Sequence, residues 1–106
     1  MNVASNTKEV RESPISLLPG EEPVFTIVVA GSGTITGTPT MELYKGTTDD
    51  SANLTGSMSV SGRAITCKKI TNLVGGAEYV FYVTFVDGGV TTVRFCRLHV
   101  LKKGVY

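Results

Sequence analysis

The sequence predicts an all-β fold, a two-sheet antiparallel sandwich of about seven strands. Three observations carry this. Short apolar runs alternate with clusters of Gly, Pro, Asn, Asp and Ser along most of the chain. The helix-forming residues Ala, Glu, Lys and Gln never recur at a period of 3.6. Asp87-Gly88-Gly89 separates the two longest apolar segments, and such residues supply the positive backbone angles of a tight hairpin. A closed barrel is the competing arrangement.

In chain order, residues 1–12 are polar and mixed in charge and read as a flexible lead-in, with one domain over residues 13–106. The first strand is expected at 13–18, stopped by Pro19-Gly20. The second, 23–30, has Phe25, Ile27 and Val29 on one face and Val24, Val28 and Ala30 on the other, so both faces are apolar. The third, 38–45, sets Met41 and Leu43 against Thr40, Glu42 and Tyr44, the alternation of a half-buried strand. Residues 46–53 form a polar loop. A short strand at 57–61 turns through Ser61-Gly62 into 63–70, where Ile65 and Cys67 share a face. The last two strands, 77–86 and 90–101, flank the hairpin and pair with each other.

The segment Leu73-Val74-Gly75-Gly76-Ala77-Glu78-Tyr79-Val80-Phe81-Tyr82-Val83 resembles the turn-and-strand signature of fibronectin type III and related immunoglobulin-like domains. The resemblance implies an immunoglobulin-like strand order. It makes Tyr79 a corner tyrosine with a buried ring and a hydroxyl bonded to nearby backbone, followed inward by Phe81, Val83 and Phe85. The chain has no Trp, so the tryptophan those domains carry on the third strand is missing, and Met41 is the candidate stand-in. Over most of its length the chain also resembles small immunoglobulin-like proteins of tailed-phage structural gene clusters. Leu73, Gly75, Gly76, Tyr79, Phe81 and Thr84, then a Gly turn and the strand bearing Thr91 and Thr92, carry that likeness. It implies a non-enzymatic structural or assembly component of a phage or prophage particle, found in the virion or the host cytoplasm. Its partners would be other phage structural proteins or further copies of itself.

Composition and charge exclude several classes of chain. With 106 residues, 42% of them hydrophobic and 18% charged, the chain is too apolar for disorder and long enough to bury a core. A formal charge of +1 provides no field for nucleic acid or lipid. The amino terminus lacks the apolar core of a signal peptide and no run is long enough to span a membrane, so a cytoplasmic product without processing is expected. Cys67 and Cys96 are then expected as free, buried thiols.

No catalytic, cofactor-binding or metal-binding residue is assigned, and no small-molecule substrate is expected. His99 is the sole histidine, and its odd spacing from Cys96 sets the two on opposite faces of a strand. Cys67, Cys96 and His99 fall short of a zinc set. Gly31-Ser32-Gly33 lacks the helix that would hold a phosphate. Asp49, Asp50 and Asn53 lack the order of a calcium loop, and nothing pairs Glu42, Glu78 or Asp87 for glycoside hydrolysis. Arg94 and Arg97 are expected on opposite faces, and Asn53-Leu54-Thr55 fits a glycosylation sequon that a cytoplasmic chain does not use. The alternative function is a small module that recognises a protein or carbohydrate through loops 46–53 or 87–89. Tyr44 and Tyr82 are its outward aromatics, and their projection from one sheet face would favour it.

Overall fold

The computed structural model describes residues 7–102 and 104. Strands β1 (Thr7–Glu9), β2 (Ile15–Leu17) and β3 (Thr26–Val28) precede the long β4 (Ile35–Lys45). Short elements follow: β5 (Thr48–Asp49), a 3-10 turn at Ser51–Asn53, β6 (Leu54–Thr55), β7 (Ser59–Ser61), β8 (Ala64–Thr66) and β9 (Lys69–Ile70). The chain ends in β10 (Glu78–Asp87) and β11 (Val90–Val100). These last two strands pair over their whole length around Gly88-Gly89, whose φ values of 59° and 83° suit the two-residue turn.

The front sheet runs β1-β11-β10-β4-β5, with β2 also on β11; the back carries β3-β8-β7 and the pair β6-β9. Backbone bonds from Cys67 N–H to Phe25 O (2.8 Å) and Ile70 N–H to Pro23 O (3.1 Å) carry the β3–β8 ladder on to β9. The sheets are open, so the arrangement is the sandwich and not the barrel. Each of the seven expected strands contains or overlaps an observed one. The expected strand at 63–70 is broken at Cys67-Lys68, and loop 46–53 holds β5 and the 3-10 turn.

The antiparallel expectation has two exceptions. Both β1 and β2 run parallel to β11, anchored by Val10 N–H to Phe95 O and Leu101 N–H to Leu17 O, each 2.7 Å. Thr7–Glu9 of the expected flexible lead-in is therefore strand, while residues 1–6 lie outside the described residues. Three exposed polar residues carry no alternation of their own, and their partner lies far along the chain, so the pairing has no local signal.

The core fills the space between the sheets. Tyr79, Phe81, Val83 and Phe85 point inward from β10, all at most 3% exposed. Leu43 and Met41 join them from β4, Ile65 and Ile70 from the back, and Cys96, Leu98 and Val100 from β11. Met41 is thus buried on the strand where the tryptophan is missing. Both thiols are free and buried; burial pushes Cys67 up to about 12 and Cys96 up to about 11.

Candidate functional site: the outer face of the front sheet

Because β10 sends its odd residues inward, its even residues line the outer face. Register then fixes their neighbours. One row across the sheet reads Glu9, Phe95, Tyr82, Glu42; the next reads Arg97, Val80, Tyr44, Asp49. The aromatic residues form a diagonal over three strands. Tyr82 meets Tyr44 edge to face at 5.9 Å and 86°, and meets Phe95 at 5.7 Å and 36°. All three are half-buried. An open cleft of about 370 Å³ lies at one end, between Tyr44, Tyr82, Val80 and Glu42, with Gly46 and Thr47 at its lip.

The face is charged asymmetrically. On the β1–β11 side the Glu9 carboxylate accepts from Arg97 Nε at 2.6 Å, and Glu78 meets His99. On the β4–β5 side Glu42 accepts from the Tyr44 hydroxyl at 3.2 Å, and that bond, with the carboxylate's charge, pushes the hydroxyl's pKa up. Asp49 accepts from Ser51 N–H at 2.8 Å, and that bond holds its carboxyl below the usual range. Among the described residues neither Glu42 nor Asp49 has an ion-pair partner, so this margin is net acidic.

The other sequence candidates are scattered. Cys96 is buried inward, whereas His99 is half-buried on the outer face. Asp50 binds the Asn53 side chain at 2.9 Å. Gly33 packs against the Asp87 side chain, leaving no cradle at that turn. Arg94 lies 5.9 Å from the Phe85 ring centre on the inner side, and Arg97 points outward, the opposition expected from their spacing. Tyr79 takes the corner position: its ring is 3% exposed and its hydroxyl accepts from Val74 N–H at 3.0 Å.

Sequence reasoning passed over Phe95 and Arg63 as functional or tying residues, and it placed Phe25 on a strand face without its partner. Phe95 was legible in principle, since Cys96 and Leu98 pointing inward send it outward. Phe25 reaches across the sandwich from the start of β3 and stacks on Phe81 at 5.3 Å and 16°. Arg63 gave no local signal at all. Its guanidinium binds both Asp87 oxygens (2.9 and 2.7 Å) and donates to Val29 O at 2.9 Å, Ala30 O at 2.8 Å and Gly33 O, tying the back sheet to the β10–β11 hairpin.

The topology, the corner tyrosine and the front-sheet order together define an immunoglobulin-like β-sandwich domain. No protein-family model matches the chain, and no curated protein matches it. The fold is similar to that in a solved titin M10–obscurin-like 1 immunoglobulin complex, with 16% identity, 93% of this chain and 90% of that chain covered, and a TM-score of 0.50. A titin I9–I11 tandem is 19% identical over 90% of this chain and 30% of its own, with a TM-score of 0.41. In antibody domains a corner tyrosine stands two residues before the second cysteine of the inter-sheet disulfide. Here Phe81 holds that place, and its stack with Phe25 spans the sheets instead.

Proposed function

We propose that this chain is a non-enzymatic interaction module that binds another protein through the outer face of its front sheet. The observation that carries the proposal is the diagonal Phe95–Tyr82–Tyr44 with its charged margins. Half-buried aromatic side chains inside a polar rim are the usual make-up of a protein-binding patch. A sugar-stacking shelf requires coplanar rings, and the 86° between Tyr44 and Tyr82 opposes it. Two observations support the non-enzymatic reading: both thiols are buried with raised pKa values, and His99 lies on the outer face bonded to Glu78, on the opposite side of its strand from Cys96.

Loop 46–53 contributes at the edge of this face, through Gly46 and Thr47, while the 87–89 tip is held by Arg63. A structural role in a phage or prophage particle is the second reading. It is favoured by the segment from Leu73 to Thr84, and it too requires a protein partner.

Parallel selections test the proposal, using a peptide-display library and a glycan array against the wild type and a Tyr82→Ser/Phe95→Ser variant. Peptide ligands that the variant no longer binds, with its far-ultraviolet circular dichroism unchanged, are the expected result. Glycan ligands alone, or peptide ligands indifferent to the substitutions, overturn it.

A further inference from the structure

We infer that the open cleft beside the Tyr44–Tyr82 pair receives an arginine side chain of the partner protein. This deepens the reading of the outer face as a protein-binding surface and rests on it. The cleft has the parts that a guanidinium uses. Tyr44 and Tyr82, which touch each other edge to face, offer aromatic surface to it, Val80 offers an apolar surface for an aliphatic stem, and Glu42 brings a carboxylate to its lining. Asp49, opposite Tyr44 in the β4–β5 pairing, is not part of the cleft lining but adds negative charge beside it.

Charge decides the occupant. Neither carboxylate has an ion-pair partner among the described residues, and the cation nearest along the same row, Arg97, is engaged by Glu9 on the far side of the sheet. A cleft with aromatic surface and uncompensated negative charge is complementary to a cation that also stacks. Arginine fits better than lysine: its planar guanidinium lies flat on one ring while its fork of donors reaches a carboxylate, and it is less strongly hydrated. The volume, about 370 Å³, is at the small end of ligand sites and suits one long side chain. The arginine would extend the Tyr82–Phe95 aromatic patch, and arginine is among the residue types enriched at interface hot spots.

The test is a titration of the isotope-labelled chain with N-acetyl-L-arginine N-methylamide, followed by amide shifts, with the uncharged citrulline derivative as the isosteric control. The arginine derivative is expected to give saturable shifts at Glu42, Tyr44, Val80 and Tyr82, and the citrulline derivative to bind about tenfold more weakly. Glu42→Gln is expected to weaken the arginine derivative about threefold and leave the citrulline derivative unchanged. Equal shifts from both compounds, shifts that map elsewhere, or no binding overturn the inference. If that happens while selected peptide ligands still depend on Tyr82 and Phe95, the protein-binding face stands and only the arginine site falls. Loss of both removes the larger reading as well.

Discussion

Tyr79 has a ring among the core side chains and a hydroxyl that accepts the Val74 amide, so its two ends can be separated by substitution. Tyr79→Phe keeps the ring and leaves the Val74 N–H without its acceptor. It is expected to lower stability by about 1 kcal/mol in equilibrium urea unfolding, and an unchanged midpoint would refute the corner assignment. Asp87 is held below the ordinary carboxyl range, first by hydrogen bonds from Arg63. Its folded pKa is therefore depressed, so its stabilisation is present above the unfolded value of 3.8 and is lost as pH falls through the folded one. Thermal unfolding should show stability declining below about pH 4, and Asp87→Asn should flatten that decline while lowering Tm at neutral pH. The buried thiols, with pKa values pushed up to about 12 and about 11, should resist a disulfide reagent at pH 8 until the chain unfolds.

At the scale of elements, β10 and β11 were the most legible part of the fold. On β10 the resemblance that makes Tyr79 a corner residue sets the inward period-two series Tyr79, Phe81, Val83 and Phe85, and Asp87-Gly88-Gly89 fixes the register with β11. The back sheet was less legible. Residues 63–70 read as one strand because their apolar pattern is continuous, yet the regular ladder breaks at Cys67-Lys68. No local pattern announced β1, whose parallel pairing with β11 depends on a ladder formed only after the chain has folded. What joins the layers is side-chain packing: with no disulfide between the sheets, the Phe25–Phe81 stack bridges them. Phe81→Ala should cost about 3–5 kcal/mol in denaturant unfolding, and Phe25→Ala less, because Phe25 is only partly buried. Equal small losses from both would show that the stack is incidental.

At the scale of the whole molecule, two surfaces differ in character. The outer front face gathers aromatic residues from three strands. Two of the three, Tyr44 and Tyr82, were readable as outward by parity, but their contact depends on register with a strand more than thirty residues away, which no local pattern contains. The other surface is the edge at β3, which ends the back sheet. Residues 23–30 carry no charge, and Val28 is 76% exposed there. An uncharged edge is prone to pair with other chains, so Val28→Lys should raise the concentration at which the protein self-associates, measured by light scattering, with little change in Tm.

Which surface meets the partner is addressed most directly by an amide-shift map of the labelled chain bound to a selected peptide ligand. The expected map concentrates on the outward residues of β4, β10 and β11, around Tyr44, Tyr82 and Phe95. A map centred on the 87–89 turn or on the back sheet would contradict it.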